Sequence, residues 1–200
     1  MTRHLRLTFL AATAALAVAA CAPENPASEA TTTPVTTPDG SATVVAEADA
    51  GTKSYVEKAA IGDMFEIEAS KIALERSKVQ PVKDFAQMMI DAHTATSTEM
   101  GGLASTAGVM APTALDNDHS AKLDELRNAS LQDFDDKYID QQTAAHQDAL
   151  NLMKDYANNG KNAAIMAFAA KTAPAVDDHL TKVKALDKGP ADDVTKKPKT

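Results

Sequence analysis

Four residues that can bind a metal ion or exchange protons fall at inward positions of separate predicted helices. They are Glu66, His93, His146 and His179. Helical periodicity at 100° per residue places each of them on the apolar line of its segment. With alternating helix directions and a rise of about 1.5 Å per residue, the four positions lie at similar heights. The pattern predicts one polar layer inside an otherwise apolar core.

Two kinds of chemistry suit such a layer. One carboxylate and three neutral imidazoles are a ligand set for one transition-metal ion such as Zn, Fe or Mn. Alternatively, Glu66 could hold one histidine protonated while the other imidazoles complete a hydrogen-bond network that sets helix register. The sequence leaves both open. In either case, polar residues on the same inner faces are expected to form a second ring: Tyr55, Asp135, Tyr138 and Gln142.

The elements that position these residues are four long helices. An all-α, antiparallel, ferritin-like four-helix bundle is predicted over residues 54–187, with small residues such as Gly62 and Ala69 allowing close helix approach. A Ser54–Glu57 capping box opens the first helix, Pro81 the second, and Ser130 caps the third. The predicted helices span about 54–79, 81–107, 130–157 and 162–187, with a short extra helix at 120–128 and a kink at Pro174.

Composition restricts the function classes. The chain has 200 residues, a formal net charge of -8, one Cys and no Trp. The acidic balance argues against nucleic acid as a partner. No phosphate-binding glycine loop, nucleophile elbow or Ser-His-Asp grouping is present, which favours a non-enzymatic protein.

The N-terminus is typical of an exported lipoprotein. Arg3 and Arg6 precede an apolar stretch that is too short to span a bilayer and ends at Cys21. Cleavage after residue 20 would leave Cys21 for lipidation and change the net charge from -8 to -10, because both arginines leave with the signal peptide. Residues 21–53 are rich in Thr, Pro and Ala and predict a disordered tether, and 188–200 predict a flexible tail. The expected location is the outer membrane, facing the periplasm, with the membrane contacted through the lipid.

The chain resembles a bacterial family of predicted outer-membrane proteins, a domain of unknown function with a ferritin-like bundle. The similar stretches are Gly62–Ile67, Phe85–His93, Phe134–Tyr138 followed by His146-Gln147, and Ala173-Pro174 before His179. The resemblance implies the fold and an envelope location but no activity. Ferritin-type di-iron chemistry is not expected, because Ile90, Thr143 and Val176 stand where Glu-x-x-His pairs need glutamate. The predicted function is an envelope binding or maintenance module; the alternative is a transition-metal-binding protein with weak redox activity.

Overall fold

A computed structural model describes residues 48–187 of the chain. These residues form five α-helices and no β-strand, so the prediction of an all-helical fold is confirmed. Cys21, residues 21–47 of the predicted tether and the predicted tail lie outside the described residues. The helices are α1 Ala50–Arg76, α2 Gln80–Thr106, α3 Asn117–Asn128, α4 Phe134–Asn159 and α5 Ala163–Asp187.

Helix α1 begins earlier than the predicted capping box. Asp49 is the N-cap, and its side chain accepts hydrogen bonds from the amides of Gly51 and Thr52 at 3.0 and 3.2 Å. The Thr52 hydroxyl donates to Asp49 at 2.6 Å and lies 2.7 Å from the Tyr156 hydroxyl on α4. Since Thr52 has one hydroxyl hydrogen, Tyr156 donates the second bond. This buried contact orders the chain upstream of Ser54, where the prediction had placed the tether.

The start of α4 also differs from the prediction. Ser130 does not cap it; the Ser130 hydroxyl donates to the Asp133 carboxylate at 2.6 Å in a turn, and the helix begins at Phe134. Leu131, predicted to face inward, is 64% exposed. Arg76 holds this corner in place, because its guanidinium donates to the carbonyls of Leu126, Arg127 and Ala129 and lies 4.9 Å from the centroid of the Phe134 ring.

Other helix ends agree with the local signals. Pro81 lies in the first turn of α2, where its missing amide hydrogen costs nothing. Gly108 follows α2 with φ of 68°, a left-handed conformation that favours glycine. Asp116 caps α3 and lengthens it at the N-terminus beyond the predicted start. Gly160 ends α4, and α5 continues through Pro174.

The four long helices pack in a closed ring of contacts. Helix α1 packs against α2 and α4, and α5 packs against α4 and α2, while α3 contacts α1 and α4. Phe65, Tyr138, Ile165 and Val183 are fully buried between them. Gly62 does not serve close helix approach as predicted, because a Cβ atom built there would meet nothing within 4 Å. None of the described helices has the length and apolar character that crossing a membrane requires.

Candidate metal site

Three histidines from three different helices meet inside the structure. We call His93 on α2, His146 on α4 and His179 on α5 the histidine triad. One ring nitrogen from each lies within 4.8 Å of one from each of the others. The ring centroids are 5.7, 6.0 and 5.6 Å apart, which describes a nearly equilateral triangle. His93 and His146 are buried and His179 is partly buried.

The hydrogen bonds of two rings determine which nitrogen is free. His146 Nδ1 lies 2.8 Å from the backbone oxygen of Gln142, one turn earlier on α4, and donates to it. His93 Nδ1 lies 2.7 Å from Asp63 Oδ1 on α1 and donates to that carboxylate. In a neutral imidazole with a hydrogen on Nδ1, Nε2 carries the lone pair. In their neutral forms both rings therefore direct an available lone pair away from these partners.

Asp63 is the functional residue that sequence reasoning missed. Besides His93, it accepts hydrogen bonds from the hydroxyls of Thr96 and Ser97 at 2.9 and 3.1 Å. These three donors hold the carboxylate against the imidazole, an arrangement that orients a histidine toward a metal ion. The signal in the sequence was its spacing, because Asp63 lies three residues before Glu66 and hence on an adjacent line of the same helix.

Each histidine of the triad keeps a buried nitrogen without a hydrogen-bond partner among the described residues. These atoms are His93 Nε2, His146 Nε2 and His179 Nδ1. An unsatisfied buried polar atom costs about 1–3 kcal/mol, so three of them at one place are a substantial loss of stability unless something binds there. A metal ion bonded to imidazoles at about 2.0–2.1 Å holds their nitrogens about 3.3–3.5 Å apart. The ring nitrogens of the triad lie within 4.8 Å of one another, which is wider than this spacing.

Glu66 lies beside the triad rather than in the group of possible ligands. Its Oε1 is 3.4 Å from His146 Nδ1, and its Oε2 has no hydrogen-bond partner among the described residues. Glu66 is 3% exposed, and burial raises the pKa of its carboxyl to about 7. It is therefore largely protonated below neutral pH, and it contacts the edge of His146 that bonds to Gln142.

The three imidazoles differ in pKa because their burial and their neighbours differ. Burial and the nearby His93 lower the pKa of His146 to about 3 and that of His179 to about 4, so both rings are neutral and able to bind a metal near pH 7. Burial also lowers the pKa of His93, but the hydrogen bond to Asp63 and the charge of Glu66 outweigh burial and leave that pKa above its ordinary value. Asp63 is therefore the principal acidic partner of His93, whereas the sequence analysis had named Glu66 as the acid that could hold one of the histidines protonated.

The predicted second ring is only partly present. Gln142 contacts the triad through its backbone carbonyl, not through its side-chain amide. Tyr55 donates to Met153 Sδ at 2.8 Å, and the Tyr138 hydroxyl pairs with Ser70 at 2.9 Å. Asp135 has a buried carboxylate oxygen without a partner among the described residues. The hydroxyl groups of both tyrosines thus bond to residues outside the histidine triad.

A cavity of about 780 Å³ adjoins the triad. His93, His179, Asp63 and Glu66 are among the residues that line it, together with apolar residues from four helices. It offers space beside the unpartnered nitrogens of His93 and His179.

Comparison with known proteins gives a family and a fold. A family model described as a domain of unknown function, DUF4142, matches residues 37–186. No curated protein matches the sequence. The crystal structure of a DUF305 fragment from Deinococcus radiodurans is similar with a TM-score of 0.62 and 11% identity, covering 70% of this chain and 97% of that one.

Two structures of CopM are also similar. The Cu(II)-bound form has a TM-score of 0.59 and 18% identity, covering 68% of this chain and 95% of CopM. The Cu(I)-bound form has a TM-score of 0.57 and 19% identity, covering 68% and 94%. At these identities the likeness is one of fold.

Proposed function

We propose, from the premise that this chain belongs to the DUF4142 family, that it binds one transition-metal ion through His93, His146 and His179. The observation that carries the proposal is the convergence of three imidazoles, each with a buried nitrogen that no described side chain or backbone group satisfies. A purely structural polar layer would instead bond its members to one another. The unpartnered Oε2 of Glu66 argues in the same direction.

Copper and zinc are the metals that this donor set favours. Imidazole nitrogens suit Cu, Zn, Ni and Fe, whereas Mn prefers carboxylate ligands, and among divalent ions Cu(II) binds nitrogen sites most tightly. The fold similarity to CopM, solved with copper in two oxidation states, is a further reason to test copper first. Asp63 would orient His93 and increase its basicity as a ligand, and the Gln142 carbonyl would orient His146.

We further propose a specific arrangement for the helices. The connections 77–79 and 160–162 are short, and each long helix contacts two others, which supports an antiparallel, ferritin-like four-helix bundle with α3 as an addition. The site differs from a ferritin di-iron centre, because the triad supplies imidazoles and no bridging carboxylate. A mononuclear binding site follows from this donor set.

Metal loading tests the proposal directly. We use the full chain with Cys21→Ser, which removes the single thiol that would compete for copper, and no affinity tag. After incubation with Cu(II) or Zn(II) and desalting, elemental analysis is expected to find one equivalent of metal. His119→Ala is the matched control and should load equally, because His119 bonds to Asp116 and its ring nitrogens do not belong to the triad. A chain that retains neither metal contradicts the proposal.

We also propose that the protein is a lipoprotein of the outer membrane that faces the periplasm. The support is the sequence signal that ends at Cys21. Cys21→Ser is expected to remove incorporation of a labelled fatty acid and to release the protein from membranes, because the acyl chains and not a spanning helix would hold it there. Metabolic labelling followed by membrane fractionation measures both effects. Equal labelling of the two proteins would disprove the lipid anchor.

A further inference from the structure

The histidine triad supplies three ligands, and the proposed metals require more. Zn(II) takes four ligands in most proteins, and Cu(II) takes four or more. Glu66 does not belong to the group of converging ligand atoms, and its Oε1 lies 3.4 Å from His146 Nδ1, the nitrogen that bonds to the Gln142 carbonyl. One coordination position therefore remains for a ligand from outside the chain, as at catalytic rather than structural zinc sites.

The cavity provides room for that ligand. Its volume of about 780 Å³ is within the range of small-molecule sites, and it reaches His93 and His179, whose free nitrogens are in the triad. Gly62 lines the cavity at its α1 wall, and a Cβ atom there would meet nothing within 4 Å. The missing side chain of Gly62 therefore leaves open space next to Asp63 and Glu66.

The lining selects among ligand classes. Apolar walls come from residues such as Ile61, Phe65, Leu152 and Val176. Carboxylates outnumber lysines around them: Glu57, Asp63, Glu66, Asp116, Asp148 and Asp155 against Lys58 and Lys122. Glu57, Asp116, Asp148 and Asp155 are exposed to solvent, and their negative charge along the lining disfavours anions and favours neutral or cationic molecules. The ligand that fits has one nitrogen or sulfur donor atom on a compact apolar body.

We infer that the metal in this site binds an exogenous small molecule of that class, with its donor atom on the metal and its apolar body in the cavity. This inference rests on the proposed function. It makes the protein a carrier or sensor of a metal–ligand pair rather than a store of bare ions. A ligand with a bulky apolar body needs the open space at Gly62 in order to bind, whereas the metal ion does not.

The experiment titrates the Cu(II)-loaded full chain with donors of graded size and charge. Imidazole, 4-phenylimidazole and azide are the probes, and visible absorption and electron paramagnetic resonance report a new nitrogen ligand on copper. Both imidazoles should bind, and 4-phenylimidazole should bind at least about fivefold more tightly because its phenyl ring is buried in the cavity. Azide should bind more weakly than either.

Gly62→Leu fills the space and should weaken 4-phenylimidazole binding at least about fivefold, which is the gain that burial of the phenyl ring gives in the parent protein. Copper loading should stay at one equivalent, and Gly62→Ala should give a smaller effect. Gly101→Leu is the matched control: it is also a helical glycine with nothing within 4 Å of its Cβ, but it does not line the cavity. Circular dichroism verifies that all variants are helical.

The outcomes separate the two proposals. A chain that loads no copper contradicts the proposed function and this inference with it. Loaded copper whose spectra do not respond to any donor, or that is stripped by imidazole, contradicts the inference alone. Equal affinities for 4-phenylimidazole in Gly62→Leu and Gly101→Leu would place the ligand outside the cavity and would also overturn it.

Discussion

Replacing His146 by leucine is expected to abolish tight metal binding while leaving the metal-free fold as stable as before or more stable. A structural metal site contributes about 10–16 kcal/mol, or about 3 kcal/mol per ligand, so loss of one imidazole lowers affinity by roughly 10²-fold or more. His146 is 1% exposed, and its Nε2 has no partner among the described residues. Leucine has a similar size and removes this unsatisfied atom, which should raise the free energy of unfolding by about 1–2 kcal/mol.

Competition with a chromogenic chelator measures the affinity, and urea unfolding in the presence of EDTA measures the stability. His119→Leu serves as the control and keeps the affinity of the parent protein. A loss of metal affinity together with a gain in the free energy of unfolding distinguishes the metal site from the structural polar layer. If His146→Leu lost several kcal/mol of stability without metal and the parent bound no metal, the layer would be structural.

Asp63→Asn is expected to weaken metal binding by about 10–100-fold at about pH 8, the usual effect of removing a carboxylate behind a ligating histidine. The metal must displace the proton of His93, and the hydrogen bond to Asp63 holds the pKa of that ring above its ordinary value. Affinity of the parent protein therefore begins to fall at a higher pH than for an ordinary imidazole, by about tenfold per pH unit. In Asp63→Asn the carboxylate is gone, so burial lowers the pKa of His93. Metal affinity of this variant therefore begins to fall at a lower pH than that of the parent protein.

The difference in metal affinity between the parent protein and Asp63→Asn should become smaller as pH falls from about 8 to about 5.5. Chelator competition across this range measures it, and Asp91→Asn, an exposed acid of α2 that bonds to Gln87, is the control. The stability of the metal-free protein also depends on pH, through the protonation of His93. A raised pKa means that protonated His93 stabilises the fold below the unfolded value of 6.5 and that this contribution is lost as pH rises through the folded pKa. Parallel pH profiles for Asp63→Asn and the parent would exclude Asp63 as the residue that controls His93.

Local periodicity was sufficient to predict the helices and the inward direction of the histidines. A residue on the apolar line of a helix faces the core whatever the helix packs against, which is why His93 and His146 could be assigned to the interior. The rise per residue then placed the histidines at similar heights along the bundle. The error of this estimate is several ångström, which is less than two helical turns. Local signals such as Pro81 and Gly160 likewise located helix ends, because proline and glycine act through their own backbone.

The partners of these residues depended on tertiary structure. A hydrogen bond such as that between Asp63 and His93 requires 2.7 Å between atoms on two helices, and a small rotation of either helix breaks it, so periodicity could not choose Asp63 over Glu66. Thr52 and Tyr156, distant in sequence, decided that α1 begins at Ala50. Gly62 had suggested close helix contact, but only the packed helices showed a cavity there. Sequence thus determined which side chains face inward, and packing decided what each of them meets, because direction is a property of one helix and distance is a property of two.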